Sequence, residues 1–130
     1  MKDILLLIAM LFFHIIDDYY LQGFLASAKQ KSWWEKNSPN PLYKNDYIIA
    51  LIEHGFSWTV MINVPIIIYT YVFNAHINHV VFIVLFIINM LIHIVTDNAK
   101  ANLFKINLIQ DQLIHIVQII FTWLIYILIF

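Results

Sequence analysis

Four long apolar stretches occupy most of this 130-residue chain. A helix that crosses a bilayer needs about 20 consecutive, mainly apolar residues, so four crossings with short connections leave no room for a separate soluble domain. Hydrophobic residues make up 62% of the chain and charged residues 12%, whereas an ordinary soluble domain has about 45–50% and about 25%. The sequence therefore predicts an all-α integral membrane bundle in the cell membrane, formed by residues 1–130 as a single domain.

The four predicted transmembrane helices cover residues 4–25, 47–73, 80–103 and 111–130. Pro65 falls inside the second helix, where a membrane protein tolerates a proline kink. The first stretch also resembles a secretory signal peptide, because Lys2 precedes the apolar run and Ala26-Ser27-Ala28 follows it. The polar stretch before these small residues is long for such a signal, so we expect a first membrane helix instead.

Lysines are unevenly distributed among the connections between the helices. They lie within residues 29–46 and 100–105, apart from Lys2, whereas the turn at 74–78 and the C-terminus carry none. The positive-inside tendency then places the connections 29–46 and 104–110 in the cytoplasm and both termini outside. The seven basic residues are all lysines and form no dense cluster, so nucleic acid is not an expected partner.

Polar residues interrupt the apolar helices at several positions. They are His14, Asp18 and Gln22 in the first helix, His54 in the second, His93, Asp97 and Lys100 in the third, and Asp111, Gln112 and His115 in the fourth. A charge at the bilayer centre costs about 2.5–3.5 kcal/mol on insertion scales, so these residues should face one another inside the bundle. Such residues indicate a functional site.

One spacing recurs in three of the four helices. A histidine and an aspartate stand four residues apart in His14/Asp18, His93/Asp97 and Asp111/His115. Residues at this spacing share one helix face, and their depths place all three pairs in the half of the membrane nearest the lysine-bearing connections. Two residues of one helix can then bind the same divalent cation. The predicted metal ligands are His14, Asp18, His93, Asp97, Asp111 and His115.

Cysteine is absent, so any metal must bind nitrogen and oxygen ligands. The expected cofactor is a divalent cation, with Zn²⁺ favoured by the histidines. Six candidates exceed the four ligands of a tetrahedral ion, which leaves one or two ions open. The predicted catalytic residues are Asp18, His54, Lys100, Gln22 and Gln112. Lys100 would hold a phosphate oxygen as a point charge, while the glutamines would orient water or substrate.

Four neighbouring polar residues are expected outside the centre of this site. Asp17 and Glu53 each precede a site residue, and successive residues lie about 100° apart around a helix. Both are therefore predicted at the rim of the site or behind the ligands. His76 and His79 belong to the opposite turn, where we expect them to be solvated.

The motifs taken together resemble a known family. They are His14-x3-Asp18-Tyr19-x-Leu21-Gln22, then Lys29 or Lys31, His54-Gly55, His93-x3-Asp97-x2-Lys100 and Asp111-Gln112-x2-His115. In this order they are similar to the small bacterial and phage membrane proteins grouped as domain of unknown function family 3307. Tyr19 and Thr96 replace a phenylalanine and an aliphatic residue common in that family. The resemblance implies a multi-helix membrane protein without an established activity. The pattern is more distantly similar to membrane-bound metal-dependent hydrolases.

Three hypotheses for the function follow from the polar set. The first is a metal-dependent hydrolase that activates water against an amphiphilic, phosphate-containing substrate. The second is a transport or channel protein for ions, protons or small solutes, favoured if the polar column reaches both membrane faces. The third is a metal-free structural or partner-binding protein with Lys100 as an internal counter-ion. The expected partners are the lipid bilayer and an amphiphilic or anionic small molecule, and homo-oligomerisation stays open.

Overall fold

Four long helices dominate the computed structural model, which describes residues 1–73 and 76–129. Helix α1 covers Lys2–Ile16 and continues as a π-helical turn over Asp17–Leu21. The later elements are α2 (Leu25–Ala28), α3 (Lys31–Asn37), a 3₁₀ turn (Pro41–Tyr43), α4 (Asp46–Phe73), α5 (His79–Ala101) and α6 (Leu108–Ile129). Every regular element in the described residues is helical, so the predicted all-α class is confirmed.

Four segments are long and apolar enough to cross a membrane. They are Lys2–Leu21, Pro41–Phe73, His79–Ala101 and Leu108–Ile129. Their outer faces carry many isoleucine, leucine, valine and phenylalanine side chains that no other part of the chain covers. Such an extensive apolar surface suits hydrocarbon rather than water. The molecule therefore has the build of a multi-pass membrane protein, while the side on which each connection lies stays a prediction.

The end of the first helix differs from its prediction. The expected helix over residues 4–25 leaves the α-helical conformation after Ile16, and Gly23 then has a φ of 51°. Glycine adopts this left-handed conformation without a Cβ penalty, so the chain can turn there. The polar connection 29–46 also contains the short helix α3. The predicted turn at 74–78 lies partly outside the described residues.

The long helices form a closed four-helix arrangement. Helix α1 packs on α4, α4 on α5 and α5 on α6, and α6 returns to contact α1. An apolar core fills one end of the bundle and includes Leu6, Met10, Ile62 and Ile119. Trp58 borders this core and also touches the histidines, so it separates the apolar end from the polar end.

Gly55 allows α4 and α5 to cross at close range. A Cβ atom on this glycine would lie 2.5 Å from Cγ1 of Ile94 and 3.4 Å from the carbonyl oxygen of Met90. His54 precedes Gly55 in the sequence, and His93 precedes Ile94. The ring centroids of these two histidines lie 4.9 Å apart. The close crossing therefore brings two histidines of different helices together.

Replacing Gly55 by leucine should lower the free energy of unfolding by about 1–3 kcal/mol, because the new side chain overpacks the crossing. Unfolding of the detergent-extracted protein measures this loss. Phe56→Leu is the control, since Phe56 is 53% exposed and its replacement should stay within about 0.5 kcal/mol. Adding Ile94→Ala to Gly55→Leu should restore part of the loss. Equal stability of Gly55→Leu and the wild type would contradict the close crossing.

Candidate functional site

The polar residues of all four long helices meet at one end of the bundle. The buried members of this cluster are His14, Asp17, Lys29, His54, His93, Asp97, Asp111 and His115, none more than 6% exposed. The side chain of Asp18 is 5% exposed. The prediction that these helix faces come together inside the bundle is thereby confirmed. The cluster lies beside the connection that follows α1 and the one that joins α5 to α6.

Asp97 lies at the centre of the cluster. Its Oδ1 atom lies 3.5 Å from Nε2 of His115 and 3.9 Å from Nε2 of His93. Its Oδ2 atom lies 3.4 Å from Nε2 of His54. Three imidazoles on three different helices thus surround one carboxylate.

Two further carboxylates flank the histidines. Oδ1 of Asp18 lies 3.3 Å from Nε2 of His54, and Oδ1 of Asp111 lies 3.5 Å from Nε2 of His115. These distances exceed the usual N–H···O range of about 2.7–3.2 Å. Two ligands of a tetrahedral Zn²⁺ ion with bonds of about 2.0–2.1 Å lie about 3.3–3.4 Å apart. The facing atoms are therefore spaced as ligands of one ion are spaced.

Oδ2 of Asp97 accepts a hydrogen bond from Lys29, but other atoms of the cluster have no hydrogen-bond partner among the described residues. These atoms include Oδ1 of Asp18, Nε2 of His54, both ring nitrogens of His93, Oδ1 of Asp111 and Nε2 of His115. A buried polar group without a partner costs about 1–3 kcal/mol. A cation among these atoms would interact favourably with every lone pair that points toward it. The donor set therefore fits a divalent metal.

Two groups of three residues place their ligand atoms within 4.8 Å of one another. One group is Asp18, His54 and His93, and the other is His93, Asp97 and His115. His93 is common to both, so the two groups overlap. Four of the six predicted ligands belong to them, together with His54, which the sequence predicts as catalytic. Asp111 adjoins the second group through His115.

His14 lies at the edge of the cluster. Its Nδ1 atom accepts a hydrogen bond of 2.8 Å from the indole N–H of Trp58, which is a donor only. That nitrogen also lies 3.6 Å from Oδ2 of Asp18. A neutral imidazole that accepts at Nδ1 carries its proton on Nε2, so His14 has no free lone pair for a metal in this arrangement. The predicted role of His14 as a ligand stays a prediction.

Asp17 is buried behind His54 rather than at the rim. Its Oδ1 atom accepts a hydrogen bond of 2.7 Å from the Ser57 hydroxyl, and its Oδ2 atom lies 3.7 Å from Nδ1 of His54. A π turn has more residues per turn than an α-helix, so Asp17 and Asp18 lie closer together around the axis. A carboxylate behind an imidazole favours a proton on the near nitrogen and leaves the far one free for a metal.

Two lysines compensate part of the negative charge. Nζ of Lys29 lies 2.5 Å from Oδ2 of Asp97, and Nζ of Lys100 lies 2.5 Å from Oδ2 of Asp111. The side-chain amide of Asn102 donates to the backbone carbonyl of Lys29 at 3.0 Å, which ties this connection to the end of α5. Lys29 is absent from the predicted site residues. The available signal was its place among the motifs that resemble domain of unknown function family 3307.

The two predicted glutamines have different surroundings. The amide of Gln112 donates to Oδ2 of Asp18 at 3.1 Å and to Oδ2 of Asp111 at 3.2 Å. Gln22 instead donates to the backbone carbonyl of Asp18. Gln112 therefore joins two carboxylates of the cluster, whereas the predicted contact of Gln22 with water or substrate stays a prediction. Glu53, His76 and His79 are exposed.

Three neutral polar residues next to the cluster were missed by the sequence prediction. Asn89, Gln118 and Thr122 are 3%, 7% and 2% exposed. The available signal was spacing, because Gln118 and Thr122 follow His115 by three and seven residues and so share its helix face.

An open groove of about 600 Å³ reaches the cluster from the side. It is lined by Leu11, His14, Ile15, Tyr19, Tyr20, Gln112 and Ile116. Most of the lining is apolar or aromatic, whereas His14 and Gln112 both contact Asp18. The groove lies between α1 with its π turn and α6, on a surface that the bilayer would cover.

Comparisons with known proteins give no match. No protein-family model, curated protein or solved structure matches this chain. The resemblance to domain of unknown function family 3307 therefore stays a prediction. The function has to be argued from the site itself.

Replacing Lys29 by methionine should cost about 3–5 kcal/mol of unfolding free energy in metal-free protein, because the buried Asp97 carboxylate loses its cation. Lys31→Met is the matched control. The Lys31 side chain is 45% exposed and lies 3.8 Å from Glu35, and exposed pairs of this kind contribute about 0.2–1 kcal/mol. Denaturant unfolding in detergent with a chelator compares the two variants. Equal losses would contradict the assigned role of Lys29.

Proposed function

We propose that this chain is a membrane-embedded metalloprotein that binds one divalent cation and hydrolyses an amphiphilic substrate. The observation that carries the proposal is the set of buried atoms that face one another at 3.3–3.5 Å without hydrogen-bond geometry. Their spacing matches neighbouring ligands of a tetrahedral ion. Imidazole and carboxylate ligands suit Zn²⁺, which is the ion we propose.

The charge of the cluster supports a single ion. Its four carboxylates belong to Asp17, Asp18, Asp97 and Asp111, and its two ammonium groups belong to Lys29 and Lys100. Two negative charges therefore remain when the histidines are neutral, and an uncompensated buried charge is costly. One divalent cation restores neutrality, whereas two would reverse the sign. The rings of His93 and His115 stack 4.2 Å apart, so repulsion opposes protonation of both.

The proposed ligands are His93, Asp97 and His115, the second of the two groups, which leave the fourth position of a tetrahedral ion for water. A divalent ion supplies a Lewis acid and an activated water. Asp18 is the carboxylate that Gln112 and His14 connect to the groove, so we assign it as the proton acceptor. Hydrolysis then transfers a hydroxide from water to the electrophilic atom of the scissile bond, and the proton passes to the leaving group.

The lateral groove supports an amphiphilic substrate. Its apolar and aromatic lining would accept a hydrocarbon chain, while His14 and Gln112 would meet the polar head group. A molecule dissolved in the bilayer can enter without crossing water. Lys100 does not line this groove, but its side chain is 26% exposed, so it is more open to an anionic head group than Lys29 is. A phosphate-containing amphiphile therefore fits the lining and the charge.

Transport is the second candidate function. The observation in its favour is that Gln118, Asn89 and Thr122 continue the polar interior beyond the histidines. All three are neutral, whereas intramembrane relays and ion paths are typically marked by ionisable residues. The ionisable residues of the cluster lie at one end of the bundle. We therefore favour a one-sided catalytic site.

Purified protein in lipid nanodiscs should bind one Zn²⁺ per chain, measured by metal analysis and chelator competition. Asp97→Asn keeps the side-chain size but removes a charge and a ligand. Loss of a residue that only orients a ligand typically lowers metal affinity about 10–100-fold. The Zn²⁺ affinity of Asp97→Asn should fall by more than this. Glu53→Gln is the control, because Glu53 is exposed and next to His54 in the sequence. This variant should bind Zn²⁺ as the wild type does. Full Zn²⁺ binding by Asp97→Asn with a large loss of stability would favour the metal-free structural hypothesis.

Zn²⁺-loaded protein in liposomes should hydrolyse long-chain phosphoesters faster than short-chain soluble analogues. Lys100→Met should retain Zn²⁺ and lose most activity on the anionic substrates, since the point charge is gone. Lys105→Met, at an exposed position, is the control and should keep full activity. Product release measured by chromatography provides the readout. Ion or proton flux across the liposomes without hydrolysis of any substrate would instead support transport.

A further inference from the structure

We propose that Gln118 is a positioning residue for His115. Together with Asn89 and Thr122, it holds this imidazole with its proton on Nδ1, so that Nε2 faces the carboxylates with a free lone pair. The inference deepens the proposed function, because a metal ligand requires that lone pair.

The chain of hydrogen bonds begins at Thr122. Its hydroxyl donates to the backbone carbonyl of Gln118 at 2.8 Å. The same oxygen accepts a hydrogen bond of 2.7 Å from the side-chain amide nitrogen of Asn89. Since the hydroxyl proton is already committed to a carbonyl, only the NH₂ group of Asn89 can face Thr122. The orientation of the Asn89 amide is thereby fixed.

The Gln118 amide is fixed in the same way. Its nitrogen donates to the backbone carbonyl of Asn89 at 3.1 Å and also approaches the Asn89 side-chain oxygen at 3.4 Å. Both of these atoms are acceptors, so the NH₂ group must point toward Asn89. The Gln118 oxygen then faces Nδ1 of His115 at 3.1 Å. A carbonyl oxygen only accepts, so Nδ1 must carry the proton.

This orientation matters for the other nitrogen of His115. A neutral imidazole has one N–H group, so Nε2 presents its lone pair to Asp97 and Asp111, each 3.5 Å away. A lone pair that faces two carboxylate oxygens is unfavourable unless a cation lies among them. A structural network would place a proton on Nε2 and form charge-assisted bonds of about 2.7–2.9 Å. The observed distances are longer than that.

The test uses the full chain in nanodiscs, labelled with ¹⁵N-histidine. NMR spectra distinguish the two neutral tautomers and the imidazolium, and His115→Ala identifies the His115 signals. In the wild type at saturating Zn²⁺ we expect a proton on Nδ1 of His115 and none on Nε2. Gln118→Leu should shift His115 toward Nε2–H and weaken Zn²⁺ binding by about 10–100-fold. Gln118→Glu keeps an acceptor for Nδ1 of His115 but loses the NH₂ donor that faces Asn89, so it should preserve the tautomer at a cost in stability.

Two further variants separate positioning from packing. Asn63 is buried on α4 and donates to the Thr59 carbonyl of its own helix at 2.8 Å. Asn63→Leu should therefore leave the tautomer and the Zn²⁺ affinity unchanged, whatever its effect on stability. Thr122→Val keeps the side-chain shape while it releases Asn89, so it should reproduce the effect of Gln118→Leu to a smaller degree. It also serves as the test if Gln118→Leu does not fold.

A proton on Nε2 of His115 in the wild type at saturating Zn²⁺ would overturn the proposal. So would Gln118→Leu protein that is less stable but unchanged in tautomer and Zn²⁺ affinity, because Gln118 would then be a packing residue. An Nδ1–H tautomer that depends on Gln118, in a protein that binds no Zn²⁺, would support the positioning role. That last result would at the same time contradict the proposed function.

Discussion

Hydrocarbon does not solvate charge, and this constraint shapes the polar end of the bundle. The Asp97 carboxylate lies in the interior, where an unpaired charge would cost several kcal/mol. Lys29 reaches it from the connection after α1, while His54 and His115 face it from α4 and α6. Compensation of one charge on α5 thus joins this helix to α4, to α6 and to the connection after α1. The apolar core at the other end can then be built from Leu6, Met10 and similar residues.

Much of this arrangement could be predicted from the sequence, because bilayer thickness and helix geometry leave few alternatives. Span length fixes the number of helices. The four-residue spacing of His93 and Asp97 places both on one helix face. In the structure, Nε2 of His93 lies 3.9 Å from Oδ1 of Asp97. The helix faces could be matched with one another because each buried charge needs a partner. The position of His54 followed from the same argument.

Other features were beyond the sequence prediction for identifiable reasons. For Asp17 the sequence left two places open, the rim of the site and a position behind the ligands, and the π turn accounts for the second. Lys29 lies outside the predicted membrane helices, so its return to the interior depends on the turn at Gly23 and the anchor at Asn102. Gln118 is neutral, so its contact with His115 becomes visible only when the direction of each hydrogen bond is known.

X-ray absorption at the zinc edge is a direct test of the proposed metal centre, because it reports the atoms bound to the ion. A Zn²⁺ ion in this cluster should have about four nitrogen and oxygen ligands at about 2.0–2.1 Å, with the outer scattering of at least two imidazoles. Thiolate ligands are excluded, since the chain has no cysteine. A spectrum of oxygen ligands without imidazole scattering, or purified protein that retains no zinc at all, would contradict a metal centre among His54, His93 and His115.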